Sequence, residues 1–210
     1  MTKDSKRIAI IGSGGFGCEV YNIINDIGYE CIGFIDKSVE NSKLPIPIIG
    51  HEDNINNLME RFLFNQCILA IGSGEKRRCI YKVLKNNSIF FPKIIAPSLY
   101  NYSNLIDSGS IIYPGVILMS NTKIGKFTLL NSGVTLGHDV VVGDFCNINP
   151  GVNIAGGVTI GDGSFIGIGS CIRENIVLGE NVIIGAGSVV INNVPDNTMV
   201  YGVPAKAHKK

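Results

Sequence analysis

The chain has 210 residues, 45% of them apolar, which is ample for a core in one large domain or two small ones and excludes a disordered chain. A formal charge of +1 gives no global field to gather nucleic acid or an anionic membrane, and the one basic cluster, Lys206 to Lys210, reads as a solvated tail. The 6 cysteines form no C-x-x-C pair and no metal-ligand spacing, the opening MTKDSKRIAIIG has too short an apolar run for a signal peptide, and no run reaches the ~18 apolar residues of a membrane span. The expectation is a reduced, cytoplasmic protein with no membrane span and no nucleic-acid partner.

In chain order, RIAIIG reads as a buried strand, GGFGCEVYNIINDIG as a helix, and YECIGFID as a second strand ending in Asp36. This is a β-α-β unit. QCILAIG is a further strand, followed by Ser73, Gly74 and the helical EKRRCIYKVLKN; FPKIIAP is a fourth strand leading into the next region. Between the first strand and helix, GSGGFG (Gly12 to Gly17) satisfies G-x-G-x-x-G, with Asp36 at roughly the ~20-residue distance of a ribose-binding acid. Physically, the glycines let backbone amides approach a pyrophosphate at a helix N-terminus. That favours a nucleotide diphosphate, and the alternative is a tight strand-to-helix turn with Asp36 closing a strand. A dehydrogenase is disfavoured, because the Rossmann-like part is about half the usual size. The joint falls near Pro97 to Asn104, dividing the chain into residues 1–98 and 99–210.

Beyond the joint, a period of six takes over. Ile106, Ile112, Leu118, Ile124, Leu130, Leu136, Val142, Ile148, Ile154, Ile160, Ile166, Ile172, Leu178, Ile184 and Val190 keep one register without a slip. Four places after each of all but the last stands a small or β-branched residue, from Ser110 to Ser188. Directly after the aliphatic stands Gly at 125, 137, 143, 161, 167, 179 and 185, expected to supply positive φ at corners. Such hexads fit neither a helix, which many glycines would weaken, nor a flat sandwich, which needs longer alternation. Stacked hexads forming a β-solenoid fit. With no loop extruded between Ile106 and Val190, this half has no lid, so a second surface must supply the other wall of any site.

The short Gly-rich β-α-β domain, the solenoid bearing GHDVVVGDF, and the ending MVYGVPAKAHKK together resemble the nucleotide-activated amino-sugar N-acetyltransferases of bacterial surface-glycan and glycoprotein pathways, within the hexapeptide-repeat acyltransferases and close to sialic acid O-acetyltransferases. The resemblance implies an α/β Rossmann-like N-terminal domain that binds nucleotide-sugar, followed by a left-handed parallel β-helix with three hexads to a coil, in a homotrimer with sites between subunits. It implies acetyl-CoA as co-substrate, His138 as general base and Asp139 as the acid that orients it. Gly14, Gly15, Phe16, Asp36, Lys37 and Gly72 match positions that hold the nucleotide-sugar. Asn147, Ile168 and Ala186 match positions near acetyl-CoA, and GVPAK, ending in Lys206, matches the segment that accompanies it. Some relatives have His where this chain has Phe16, and others where it has Asn147. Phe16 can stack on a ring but cannot bond a phosphate, whereas Asn147 can aim its side-chain amide or its backbone N–H at a thioester carbonyl.

The chemistry agrees with the likeness. An amine that attacks a thioester must shed a proton, and an imidazole, with an ordinary pKa of about 6.5, suits that task when a carboxylate fixes its tautomer. A lone histidine is otherwise a surface residue, but His138 is the only one in the solenoid and stands beside an acid. Adjacent strand residues point opposite ways, so Asp139 reaches His138 only if a corner intervenes. Cys146 falls on the small-residue position of its hexad and reads as packing rather than nucleophile. The expectation is direct attack without an acyl-enzyme. A γ-type carbonic anhydrase would need three histidines on zinc. An O-acetyltransferase and a non-catalytic nucleotide-sugar-binding scaffold are the remaining alternatives; the nucleotide, the sugar and its acetylated position stay open.

Overall fold

The computed structural model describes residues 6–37, 44–102 and 105–208. Lys209 and Lys210 of the basic tail, and Ser103 and Asn104 of the joint, lie outside the described residues. The chain divides into two compact units, Met1–Ile94 and Ile95–Lys210.

The first unit is a parallel four-stranded sheet of β1 (Arg7–Ile11), β2 (Glu30–Ile35), β3 (Ile48–Gly50) and β4 (Gln66–Leu69), in the order β3-β2-β1-β4. Its helices are α1 (Gly15–Asp26), α2 (Ile55–Phe62) and α3 (Gly74–Leu84). Ile8, Ala9 and Ile10 are fully buried in succession, as a sheet covered on both faces requires. The order of the strands reverses between β1 and β4, so a crevice opens at their carboxyl ends, where such folds hold ligands.

Two elements of this unit were not read from sequence. β3 has only three residues after Pro47, too few to show a period. α2 carried a helical signal, Ile55, Leu58, Met59 and Phe62, and buries Ile55 and Leu58. FPKIIAP, expected to be a fourth strand, shrinks to Ile94–Ile95 and belongs to a sheet of the solenoid.

The second unit is a left-handed parallel β-helix whose two-residue strands lie on three faces. The first face runs from Leu105–Ile106 to Val177–Leu178, the second from Ile111–Ile112 to Ile183–Ile184, and the third from Ile117–Leu118 to Val189–Val190. Each strand pairs in parallel with the one a coil away, for example Thr135 with Asn153 and Leu136 with Ile154. Every aliphatic of the six-residue register is the second residue of a strand and is buried, with 8% exposure at most, at Ile106. Filling the interior with one ladder of Ile, Leu and Val per face makes any truncation felt: Ile148→Ala leaves a cavity costing about 2–5 kcal/mol. The small residues four places on line the corners. Ser110, Thr128, Cys146 and Ser164 send their hydroxyl or thiol to the carbonyls of Gly125, Gly143, Gly161 and Gly179. Cys146 is thus a buried packing group.

The corner glycines need a correction. Those directly after the aliphatic do not carry positive φ; the left-handed residues lie three places after it, at Gly115, Asn121, Asp139, Gly151, Gly169 and their equivalents. The glycines at 125, 137 and 167 are needed for a different reason. A Cβ there would lie 2.5 Å from the Gly143 carbonyl carbon, 2.6 Å from the Gly156 nitrogen and 2.6 Å from the Ala186 nitrogen, because successive coils touch through their backbones.

Candidate active site

Three glycines at the junction of β1 and α1 differ in what the fold asks of them. Gly12 has φ +108 and a Cβ on it would stand 2.6 Å from the Ala70 carbonyl oxygen, so it makes the turn. Gly17 lets α1 press onto the sheet, since a Cβ would collide with the Gly12 carbonyl. Gly14, by contrast, has φ −71 and a Cβ there meets nothing within 4 Å. Neither local strain nor packing demands glycine at Gly14, Gly15 or Gly72, all exposed with open space at the Cβ position. α1 starts at Gly15 without a side-chain cap and without an acid in its first turn, so no side chain there complements the positive end of its dipole.

Asp36 does more than close β2. Its Oδ2 accepts from the Ser13 amide at 2.7 Å and the Ser13 hydroxyl at 2.8 Å, so it braces the glycine loop. Asp36 and Lys37 line a cleft of about 570 Å³ with Gly12, Ile71, Glu52 and Lys76. Gly72 lies on the loop after β4, which the buried Arg77 guanidinium organises by donating to the Ile71 and Gly72 carbonyls at 2.8 and 3.3 Å. Phe16, in the first turn of α1, is half-buried. Glycine loop, Asp36 and the β4 loop all gather at the carboxyl end of the sheet.

In the solenoid, His138 and Asp139 occupy the edge between the third and first faces, with side chains 72% and 56% exposed. Asp139 has φ +59. That left-handed turn swings its carboxylate back along the chain, so that Oδ2 lies 2.8 Å from His138 Nδ1. A carboxylate only accepts, so Nδ1 carries a proton, and in the neutral imidazole Nε2 keeps its lone pair. Hydrogen bonding from His138, then from Asn121, holds the Asp139 carboxyl below the usual carboxylate range. Asn121, 18 residues earlier on the same edge, donates from Nδ2 to Asp139 Oδ1 at 3.0 Å. The imidazole rests on Gly156, one coil later, where a Cβ would lie 2.5 Å from Nε2. Asn121 and Gly156 were missed in the sequence, although stepping one coil either way from the His138–Asp139 pair finds both. Asn121 and Asp139 also wall a cleft of about 540 Å³ that includes Lys123 and Tyr102.

The remaining residues lie elsewhere on the prism. Ile168 and Ala186 stack one coil apart on the edge between the second and third faces, both exposed. Asn147 lies on the second face, only 6% exposed, and its backbone N–H donates to the Ser164 carbonyl at 2.9 Å. The backbone alternative for a carbonyl contact is therefore closed, because that N–H is committed to the ladder. Lys206 is exposed on the terminal strand Ala205–His208, opposite Tyr201, beside a hollow of about 290 Å³ with Asn192 and Asn193. Within one chain, His138 is grouped with Asp139, while Ile168 and Ala186 form a second group on another edge. Among the described residues no helix is long and apolar enough to cross a membrane.

Comparison with known proteins extends over both units. The PglD N-terminal domain family matches residues 7–84, and the bacterial transferase hexapeptide (six repeats) family matches residues 121–156 and 157–192. No curated protein sequence matches the chain. Among solved structures, a point variant of perosamine N-acetyltransferase from Caulobacter crescentus, in complex with CoA and GDP-perosamine, is 26% identical with a TM-score of 0.92, covering 97% of each chain. The acetyltransferase domain of PglB from Neisseria gonorrhoeae, in complex with acetyl coenzyme A, is 28% identical with a TM-score of 0.90, over 97% of this chain and 100% of that one. WeeI from Acinetobacter baumannii is 26% identical with a TM-score of 0.82, over 96% and 99%. A match to the PglD N-terminal domain is thus followed by matches to the bacterial transferase hexapeptide repeats, and the chain is similar over nearly its whole length to solved acetyltransferases.

Proposed function

We propose that the chain is an acetyl-CoA-dependent N-acetyltransferase that acts on a nucleotide-linked 4-amino-deoxysugar. The observation that carries this reading is the His138–Asp139 pair at 2.8 Å on a solenoid edge, in a chain similar over nearly its whole length to a relative holding CoA and GDP-perosamine. The open Cβ positions of Gly14, Gly15 and Gly72 and the uncapped start of α1 suit a diphosphate, with Asp36 and Lys37 at the adjoining cleft for the rest of the nucleotide. His138 Nε2 takes the proton shed by the amine as it attacks the thioester carbonyl; the C–S bond breaks, and the imidazolium returns the proton to sulfur. Asp139 holds Nδ1–H throughout and steadies the imidazolium.

The working unit is a homotrimer. His138 and Asp139 occupy one edge and Ile168 and Ala186 another, so a neighbouring subunit that brings its second edge to the first completes a site which a lidless prism cannot enclose alone. Asn147 and Lys206 belong with the acetyl-CoA side of that cleft. The product feeds assembly of a bacterial surface glycan or glycoprotein from sugars activated in the cytoplasm. Release of free CoA, followed across a panel of UDP-, dTDP- and GDP-linked amino sugars, tests the activity. Turnover of a 4-amino sugar nucleotide is expected, and tight nucleotide-sugar binding with no CoA release from any member would leave a non-catalytic scaffold. Light scattering tests the assembly, where an active monomer would contradict it.

A further inference from the structure

We infer that Asn121 is a positioning residue of this site, one coil away from the base, whose side-chain amide sets the plane of the Asp139 carboxylate so that one oxygen faces His138. The inference rests on the reading of His138 as general base. The geometry divides the carboxylate between two donors: Oδ1 accepts from Asn121 Nδ2 at 3.0 Å and Oδ2 meets His138 Nδ1 at 2.8 Å. A carboxylate as exposed as that of Asp139 rotates freely about its Cβ–Cγ bond unless both oxygens are held, and water competes for each. With Oδ1 tied to the coil below, the remaining oxygen is aimed at the imidazole without further loss of rotational freedom.

The fold makes this pairing possible. Asn121 and Asp139 are 18 residues apart and both carry left-handed backbone, with φ +62 and +59, so their side chains leave equivalent points of two stacked corners. Asparagine tolerates that conformation better than most residues, which alone would explain it structurally. Asn181 occupies another left-handed corner, where its amide donates to the Asn197 side chain at 3.3 Å. What sets Asn121 apart is its acceptor. Its amide ends on the carboxylate that holds the base, and the chain Asn121 to Asp139 to His138 ends with the imidazole lying on Gly156. The amide also supplies a neutral donor. It satisfies one oxygen of Asp139 without competing for the charge that stabilises the imidazolium, as a lysine or arginine at this position would.

Asn121→Gly is the discriminating variant, since glycine accepts the left-handed corner and only the amide is lost. With acetyl-CoA and a GDP-linked 4-amino sugar, kcat is expected to fall about three- to tenfold with KM for both substrates unchanged. Independently of any substrate, carbon-detected NMR is expected to show the Asp139 carboxyl titrating at higher pH in the variant than in wild type. In an Asp139→Ala background, Asn121→Gly is expected to cost nothing more, because its effect passes through the carboxylate. Unchanged kcat together with an unmoved Asp139 titration would overturn the inference, as would an equal loss in the Asp139→Ala background. Full activity of His138→Ala overturns the site reading and the inference with it. Inactive His138→Ala beside fully active Asn121→Gly overturns the inference alone.

Discussion

His138 Nδ1 and Asp139 Oδ2 lie 2.8 Å apart although the two residues are adjacent in the chain. On an extended strand they would point to opposite sides. The contact exists because Asp139 takes the left-handed corner position of its coil, at φ +59, a conformation that aspartate adopts more readily than β-branched or bulky residues. The corner therefore makes a hydrogen-bonded pair from two neighbours, with the rest of the coil serving as a mount.

The first expected outcome concerns the ionisation of that pair. Asp139 titrates below the usual carboxylate range, with the hydrogen bond from His138 as the largest cause and that from Asn121 next. His138→Ala should therefore raise the Asp139 titration towards its ordinary value, and by more than Asn121→Gly does. A carboxyl with a lowered folded-state pKa contributes stability that is present above its unfolded value and is lost as pH falls through the folded one. NMR titration of the carboxyl carbon in wild type and both variants checks the order.

Gly156→Ala should separate seating of the base from folding. Gly156 does not carry positive φ, so alanine suits its backbone, but the new methyl would stand 2.5 Å from His138 Nε2 and push the ring aside. The melting temperature should change little while kcat falls by about 10²-fold, the scale of an ångström-sized misplacement. Thermal unfolding and steady-state kinetics on the same preparation decide it.

The glycine loop offers a contrast between two positions two residues apart. Gly14→Val should fold normally, because its Cβ meets nothing within 4 Å, yet weaken binding of the sugar nucleotide while leaving acetyl-CoA binding intact. Gly12→Ala should instead lower stability, by about 1–3 kcal/mol, since φ +108 is strained for alanine and its Cβ presses the Ala70 carbonyl. Calorimetry of ligand binding and denaturant unfolding tell the two effects apart.

The solenoid was legible because one rule, an aliphatic every six residues from Ile106 to Val190, decides burial and register together, while three hexads to a coil came from the family resemblance. Its corners were read less well. Glycine serves either positive φ or close approach, and composition alone does not say which: Gly137 is there for want of room beside Gly156, whereas Gly133 has φ +69. The partners of the His138–Asp139 pair were recoverable in principle, since Asn121 and Gly156 are each one coil away from it. The α/β unit gave up its glycine loop and Asp36 by motif, but the contact between Asp36 and Ser13 depends on the sheet bringing the end of β2 beside the end of β1, which no local pattern displays. Asn147 looked available through its backbone, and only the ladder pairing showed that N–H to be committed to Ser164.

The most direct test of the account is kcat of His138→Asn with acetyl-CoA and the preferred amino-sugar nucleotide. Asparagine keeps polarity and a donor for Asp139 but removes the basic nitrogen. The side chain is 72% exposed on a solenoid edge, so its replacement opens no core cavity and the fold should persist. If His138 takes the proton from the attacking amine, kcat should fall by about 10²-fold or more with ligand affinities nearly unchanged. Near-normal turnover by His138→Asn would contradict it and reduce His138 to a binding or structural residue.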